Sequence, residues 1–202
     1  MSAIDKIKLA KKASGSLAIA STLQKNTALE EIAKLLVASE AEIISENQKD
    51  LARAKTEGLS AGLQDRLMLN AERISGLASA VRQLVSLPDP IGEAVRGMTL
   101  PNGLKLSEIR VPFGVVGAIY EARPNVTIDI SALALKSGNA VVLRGGTAAE
   151  NTNIALVKVL QQGLTKAGLS GDLVQTVDDF GREGANAMMA ARGLIDVLIP
   201  RG

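Results

Sequence analysis

The sequence predicts an α/β fold in which a group of helices is followed by a β-hairpin and then by an open parallel sheet. Three observations lead to this order. Apolar residues recur every three or four positions over the first ninety residues, which is the period of an amphipathic helix. A proline-rich stretch then interrupts that pattern. Beyond residue 111, short apolar runs alternate with helical stretches, which is typical of βαβ units.

Capping residues delimit three or four amphipathic helices in residues 1–90. Ser2, followed three residues later by Asp5, indicates a capping box at the start of the first helix. Asn26 and Asn70 each precede an apolar helical pattern, so both are predicted to be N-caps. Gly58 is placed to end the helix that lies between them.

A boundary is predicted near residue 90, where the Pro-Asp-Pro sequence of residues 88–90 stops the last of these helices. Residues 98–111 then predict a β-hairpin around the Asn-Gly turn at 102–103. The chain is accordingly divided into three parts. These are an N-terminal helical segment (1–90), a β-hairpin element (91–112) and a Rossmann-like core (113–202).

Four apolar runs in the last ninety residues are predicted to be parallel strands separated by three helices. The strands are Val115–Ile119, Ala140–Leu143, Leu173–Thr176 and Val197–Ile199. The helices are Val126–Lys136, Ala148–Lys166 and Arg182–Ala191. The pattern is Rossmann-like, although neither a G-x-G-x-x-G fingerprint nor a Walker A motif is present. The last predicted strand is followed by only three residues. Because ligands bind at the carboxyl ends of such strands, we expect the sequence to be truncated at a site that later residues complete.

The composition excludes several kinds of chemistry. The sequence contains no Cys and no His, which rules out thiolate nucleophiles, Cys/His zinc sites and imidazole catalysis within these residues. The net charge is +2, with basic and acidic residues interleaved and few aromatic residues, so no nucleic-acid partner is expected. Neither a membrane-length apolar run nor a signal-peptide core is present, which predicts a cytoplasmic protein with no membrane partner.

Polar residues follow the first predicted strand, at the edge where a site is expected. Asn125 can cap the following helix with its oxygen, and it can also direct its NH2 group at developing negative charge, as an oxyanion stabiliser must. Glu121 and Arg123 are candidates for substrate contacts by placement alone. A structural ion pair between these two is the alternative.

The second predicted strand ends in Arg144-Gly145-Gly146. Two glycines let the backbone approach a nucleotide phosphate or ribose closely, although an ordinary connecting loop has the same composition. The Arg144 guanidinium suits a 2′-phosphate, which favours NADP(H) over NAD as the cofactor.

The third predicted strand leads to a loop with two aspartates and two glycines, Asp178, Asp179, Gly181 and Gly184. A phosphate at the start of the following helix is physically reasonable, but the aspartates oppose it. Because no third ligand is in view, the aspartates are interpreted as loop and cap residues, and no metal site is predicted.

Three stretches resemble the gamma-glutamyl phosphate reductase family, also called glutamate-5-semialdehyde dehydrogenase. They are residues 111–127 (VPFGVVGAIYEARPNVT), residues 134–146 (ALKSGNAVVLRGG) and residues 197–202 (VLIPRG). The first two are also similar, more distantly, to the aldehyde dehydrogenase superfamily, whose Rossmann-like domain lacks the usual glycine fingerprint. The resemblance spans the whole chain, which corresponds to about the first half of such an enzyme.

The resemblance implies NADPH-dependent reduction of L-glutamyl 5-phosphate to L-glutamate 5-semialdehyde, a step towards proline. In the family mechanism a cysteine thiolate displaces phosphate to form a thioester, which hydride from the cofactor then reduces. That cysteine would lie in a catalytic domain beyond residue 202, so this chain alone is expected to be inactive. The family context also implies a homo-oligomer for the full-length enzyme, with the hairpin in subunit association, and glutamate 5-kinase as the upstream enzyme.

Site residues follow from the same resemblance by position. Asn125 matches the oxyanion asparagine, and Arg144 stands where a lysine commonly contacts the adenosine ribose. The expected cofactor-binding residues are Arg144, Gly145, Gly146, Gly181, Gly184, Arg201 and Gly202.

Two other functions remain open at this point. The chain could be a nucleotide-binding or assembly module without catalysis, and a stop codon after residue 202 would favour that interpretation. It could also belong to another acyl-phosphate or aldehyde dehydrogenase, which the Glu-Ala-Arg-Pro-Asn sequence of residues 121–125 disfavours.

Overall fold

The computed structural model describes residues 1–201. Five helices come first: α1 (Ala3–Ala18), α2 (Thr22–Ala38), α3 (Glu40–Thr56), α4 (Ala61–Leu67) and α5 (Ala71–Ser86). A hairpin follows, formed by β1 (Ala94–Thr99) and β2 (Lys105–Ile109). Strands and helices then alternate: β3 (Val115–Tyr120), α6 (Pro124–Lys136), β4 (Ala140–Arg144), α7 (Glu150–Lys166), β5 (Val174–Thr176), α8 (Gly181–Ala190) and β6 (Val197–Arg201). The predicted α/β fold is confirmed, and the bounds predicted beyond residue 111 lie within two residues of these.

Strands β3 to β6 form one parallel sheet in the order β5-β4-β3-β6. Gly117 in the middle of β3 lies opposite Val142 of β4 on one side and Leu198 of β6 on the other. The chain moves outward from β3 to β4 to β5 and then returns, through α8, to the far side of β3. The strand order therefore reverses between β3 and β6, and ligands of open α/β sheets bind in the crevice at such a reversal.

The helices and the sheet share one hydrophobic core. Strands β3 and β4 are buried on both faces, as is usual for central parallel strands. The same apolar cluster includes Ile7 of α1, Leu29 of α2, Ile74 of α5 and Leu156 of α7, all fully buried. Burial of each such side chain contributes about 1.5–3 kcal/mol. Within residues 1–201, no helix is both long and apolar enough to cross a membrane.

The helix caps were predicted with mixed success. The Ser2–Asp5 capping box is present, and the Arg73 backbone N–H donates to Asn70 Oδ1 at 2.8 Å, so both of these starts are confirmed. The prediction for Asn26 is wrong. Helix α2 begins one turn earlier, after the N-cap Ser21, and Asn26 lies inside the helix, where it accepts a hydrogen bond from Lys136 Nζ at 2.7 Å. The short helix α4 was not predicted.

The hairpin is present, but its turn differs from the predicted one. The Gly103 backbone N–H donates to the Leu100 carbonyl at 2.9 Å, so Pro101 and Asn102 occupy the centre of the turn. Gly103 follows with a φ of +84°, a left-handed conformation that favours glycine. Every residue of β1 and β2 is exposed. The hairpin therefore stands away from the core on both of its faces.

Candidate functional site

The carboxyl ends of β3, β4 and β6 meet at one edge of the sheet, and most of the candidate residues lie there. Ile119 of β3 is in register with Arg144 at the end of β4, and Tyr120 is in register with Arg201 at the end of β6. Residues 121–125 leave the same edge as the chain passes from β3 into α6. Two arginines therefore flank the end of β3, the strand that leads into Asn125 at the start of α6. Gly202, also expected in the site, lies outside the described residues.

A chain of buried hydrogen bonds runs beneath this edge and joins the ends of β3, β4 and β5. The Tyr120 hydroxyl lies 2.7 Å from Thr127 Oγ1, and Thr127 donates to Asn153 Oδ1 at 2.9 Å. Asn153 Nδ2 donates to Asp178 Oδ2 at 2.9 Å, and the Gly145 backbone N–H donates to Asp178 Oδ1 at 2.6 Å. Because the Thr127 proton is used towards Asn153, the Tyr120 hydroxyl must donate to Thr127. Every donor in the chain thus points towards the Asp178 carboxyl.

The two aspartates after β5 have separate structural roles. Asp178 is only 6% exposed, and burial raises the pKa of its carboxyl, although the hydrogen bonds from Asn153 and Gly145 act in the opposite direction. Asp179 is exposed and forms an ion pair with Lys6 of α1 at 2.8 Å. Each carboxylate is committed to its own partners, so the structure gives both residues a role in holding the loop.

The glycines at the end of β4 are required by packing. A Cβ atom on Gly145 would collide with the Asn153 side-chain amide, and one on Gly146 would come within 2.6 Å of the Ala122 backbone nitrogen. Gly184 in α8 is similar, since its Cβ would lie 2.5 Å from the Val177 carbonyl oxygen. The sequence suggested that these glycines let a ligand approach. The structure supplies a sufficient reason for them without a ligand, namely close contact between chain segments.

Arg144 lies beside the start of α8. Its Nε atom donates to the Gly181 carbonyl at 3.4 Å, a long hydrogen bond, and the side chain is partly exposed. Gly181 has a φ of +52° and open space around it, and no side chain caps this helix. A cation next to uncapped backbone N–H groups fits a phosphate of a dinucleotide. Glu183 in the first turn of α8 opposes such an anion.

Asn125 lies in the first turn of α6, and its predicted alternative role as N-cap is wrong. The helix begins at Pro124, whose fixed φ suits the first helical position, and Arg123 precedes it as the capping residue. Asn125 is exposed, and its Nδ2 donates to Asp129 Oδ2 at 3.2 Å. One N–H of the amide is thereby used within the helix, which leaves the second N–H available to a ligand.

Asp129 is a site residue that the sequence reasoning missed. It follows Asn125 by four positions on α6, so the two side chains share one face of the helix, and this spacing was the signal available. Burial raises the pKa of the Asp129 carboxyl, whereas the hydrogen bond from Asn125 and the charge of Arg201 act in the other direction. Asp129 therefore contacts the candidate oxyanion residue and lies near enough to Arg201 at the end of β6 for that charge to act on its pKa.

Glu121 and Arg123 are only loosely paired. Arg123 Nε lies 3.7 Å from Glu121 Oε2, too far for a hydrogen bond, and this buried nitrogen has no hydrogen-bond partner within residues 1–201. Both residues line a small cavity of about 130 Å³ that also contacts Tyr120, Val126 and Arg201. This cavity lies where the strand order reverses.

A larger cavity, about 560 Å³, lies at the opposite edge of the sheet. It is open and lies between the carboxyl end of α7 and the turn that precedes β5. None of the candidate residues lines it. We assign the site to the carboxyl edge because strand ends, cations and an oriented amide come together there.

Comparisons with known proteins agree with this fold. The model of the aldehyde dehydrogenase family matches residues 3–198. Gamma-glutamyl phosphate reductase from Leifsonia xyli subsp. xyli is 61% identical over 98% of this chain and 47% of that protein. The reductase of the same name from Kineococcus radiotolerans is 52% identical over 96% of this chain and 45% of its own length. The chain spans about half the length of the curated relatives it matches.

Solved structures give the same result. The crystal structure of gamma-glutamyl phosphate reductase from Thermotoga maritima superposes with a TM-score of 0.97 at 36% identity, over 100% of this chain and 49% of that one. The protein of the same name from Saccharomyces cerevisiae gives a TM-score of 0.88 at 29% identity, over 100% of this chain and 51% of that one. The family match, the parallel sheet and these neighbours lead to one conclusion: the chain belongs to the aldehyde dehydrogenase family.

Proposed function

We propose that this chain is the cofactor-binding portion of a gamma-glutamyl phosphate reductase, which reduces L-glutamyl 5-phosphate to L-glutamate 5-semialdehyde with NADPH in proline biosynthesis. The observation that carries the proposal is the placement of Asn125, Arg144 and Arg201 along one carboxyl edge. Similarity to reductases of that name over almost the whole chain supports the choice of substrate.

The family implies a nicotinamide cofactor, which supplies hydride when bound. Arg144 supports the choice of NADP(H), because its guanidinium lies beside the uncapped start of α8 and can form a bidentate pair with a 2′-phosphate. Gly181 and Arg201 border the same edge, and with Gly202 they complete the proposed cofactor-binding set. Gly145, Gly146 and Gly184 act by allowing the close packing that fixes Arg144 and α8.

Asn125 is the proposed oxyanion residue. Attack of a thiolate on the acyl phosphate places negative charge on the carbonyl oxygen before phosphate leaves, and the free N–H of the Asn125 amide can donate to that oxygen. Asp129 accepts the other N–H and so fixes which way the amide faces. The thiol must come from outside these 202 residues, which contain no Cys.

The exposed hairpin is the proposed association element of a homo-oligomer. Met98 and Leu106 are in register across the two strands and, like Val95, are about half exposed, and exposed apolar residues that lie together often mark a protein interaction site. The same proposal includes a division of the chain into three parts at residues 90 and 112. It also includes a cytoplasmic location and glutamate 5-kinase as the enzyme that supplies the substrate.

Calorimetric titration of the chain with NADPH and with NADH tests the cofactor site. NADPH should bind more tightly than NADH, and Arg144→Ala should weaken NADPH binding about tenfold, the usual effect of losing a charge-assisted contact, with little effect on NADH. Arg192→Ala, at an exposed arginine in the turn before β6, is the matched control. Equal affinity for the two cofactors would contradict the 2′-phosphate role. Turnover of glutamate 5-semialdehyde by this chain alone would contradict the account of the missing thiol.

A further inference from the structure

A third cavity adjoins Asn125 on the side of the N-terminal helices. It measures about 370 Å³ and lies between the loop that joins α4 to α5, the start of α5 and the turn that leads into α6. We call it the α4–α5 cavity. Leu69 and Leu77 contribute apolar surface to its lining. Its polar lining residues are Asp65, Arg66, Arg73, Arg123 and Asn125.

One of the three arginines is committed to the structure of the loop. Arg73 Nη2 donates to Asp65 Oδ1 at 2.8 Å, and Nη1 donates to the Met68 carbonyl at 2.9 Å and to the Asp65 carbonyl. This fork neutralises the Asp65 carboxylate and fixes the end of α4 against α5. Arg73 therefore shapes the cavity and adds no net positive charge to it once Asp65 is counted.

The other two arginines make the lining of the cavity net positive, because Glu121, the carboxylate nearest to Arg123, is not among the residues that line it. The Arg66 side chain is exposed, and no residue within 1–201 forms an ion pair or hydrogen bond with its guanidinium. Arg123 has a buried Nε atom without a hydrogen-bond partner in the same range, and its nearest carboxylate oxygen is the one at 3.7 Å on Glu121. A buried N–H without an acceptor is unfavourable unless a ligand supplies one.

We propose that the α4–α5 cavity binds an anionic group of the substrate, with Arg123 and Arg66 as its ligands. The inference rests on the proposed function, because L-glutamyl 5-phosphate carries a phosphate at its reacting end and a carboxylate at the other. The cavity adjoins Asn125, so a substrate whose reacting carbonyl lies at Asn125 can place one of these groups in it. Phosphate and carboxylate each present two oxygen atoms that one guanidinium group can bind in bidentate fashion.

The test is an NMR titration of the chain with inorganic phosphate and, separately, with L-glutamate, at constant ionic strength. Saturable shifts are expected at the Nε–H signals of Arg66 and Arg123 and at the side-chain amide of Asn125. Arg123→Ala should weaken binding about tenfold or more, and Arg66→Ala somewhat less, because each removes a charge-assisted contact. Arg123→Lys should recover part of the loss, since it restores the charge without the fork. Arg192→Ala serves as the exposed control arginine and should change nothing.

The two ligands identify which substrate group the cavity takes. Saturation by phosphate that L-glutamate does not displace assigns the cavity to the phosphate, and the converse assigns it to the carboxylate. Shifts that are absent, that are spread over the surface, or that persist unchanged in folded Arg123→Ala and Arg66→Ala chains overturn the proposal. NADPH affinity is measured separately, so a chain that binds the anion but no NADPH would contradict the proposed cofactor site and leave the anion site standing.

Discussion

The carboxyl edge of the sheet has two halves that differ in construction. At the β4–β5 half, Gly145, Asn153 and Asp178 are buried and joined by hydrogen bonds of 2.6 and 2.9 Å. At the β3–β6 half, Arg123 and Asn125 are at least partly exposed, and their contacts with carboxylates are 3.7 and 3.2 Å long. The first half holds segments of the chain together, whereas the second leaves donors free.

This difference separates stability from binding along a single edge. Buried polar groups that are fully paired fix a unique geometry, because any change leaves a partner unsatisfied in a medium of low dielectric constant. Groups at the β3–β6 half are not fully paired, so they can accept a ligand without first breaking a contact. Substitutions in the two halves should therefore affect different measurements.

The largest effect is expected for Asp178→Ala at the β4–β5 half. The change leaves the Gly145 N–H and the Asn153 amide without an acceptor in a buried site, and the free energy of unfolding should fall by about 3 kcal/mol or more. Asp178→Asn keeps one acceptor oxygen and should lose less. Urea denaturation of the three chains measures both values. A loss below about 1 kcal/mol for Asp178→Ala would show that this chain of hydrogen bonds contributes little to stability.

A somewhat smaller loss is expected for Gly145→Ala. The added methyl group would overlap the Asn153 amide, so the loop must shift and the free energy of unfolding should fall by about 1–3 kcal/mol. Gly15→Ala is the matched control. Gly15 lies in α1 with nothing within 4 Å of a Cβ atom, and its replacement should stabilise the chain by up to about 1 kcal/mol. Equal effects in the two variants would mean that Gly145 is not constrained by packing.

The dependence of stability on pH should distinguish Asp178 from a carboxylate that is paired with a cation. Burial raises the pKa of Asp178 above the ordinary 3.8, so its contribution is greatest below that value and is lost as the pH rises through the folded-state pKa. Burial also acts to raise the pKa of Asp89, but hydrogen bonds from Lys25, the Ile91 backbone and Thr22 outweigh it and lower the pKa. The contribution of Asp89 is therefore present above 3.8 and is lost as the pH falls through the folded-state pKa.

Asp178→Asn and Asp89→Asn should consequently respond to pH in opposite directions. The stability deficit of Asp178→Asn, relative to the unmodified chain, should shrink as the pH rises from the acid range towards neutrality. The deficit of Asp89→Asn should grow over the same interval. Urea denaturation at a series of pH values measures both, and deficits that change in the same direction would contradict the assigned pKa shifts.

The sequence predicted the parts of this edge that depend on neighbouring residues. Short apolar runs and their flanking helices gave the strands, because the period of a pattern is local. The hydrogen bond between Asn153 and Asp178 joins residues 25 positions apart, and the α4–α5 cavity brings Arg66 close to the chain around Arg123. Such pairs depend on how the elements pack, which no local pattern encodes. The N-cap prediction for Asn26 was wrong for a local reason. Ser21 is an equally good cap that lies earlier in the chain, so two starts for α2 were compatible with the pattern.

The smallest effect on stability is expected for Asn125→Ala at the β3–β6 half. Asn125 is exposed, and its one side-chain hydrogen bond, to Asp129, is long, so the free energy of unfolding should change by no more than about 0.5 kcal/mol. Asp129 then loses the contact that opposes the effect of burial, so the pKa of its carboxyl should rise further, which an NMR titration of the Asp129 side chain can follow. A large loss of stability would mean that Asn125 is held as firmly as Asp178. A small loss would agree with a binding role for the Asn125 amide, because an N–H group that the fold requires as a hydrogen-bond donor is not free to donate to a substrate.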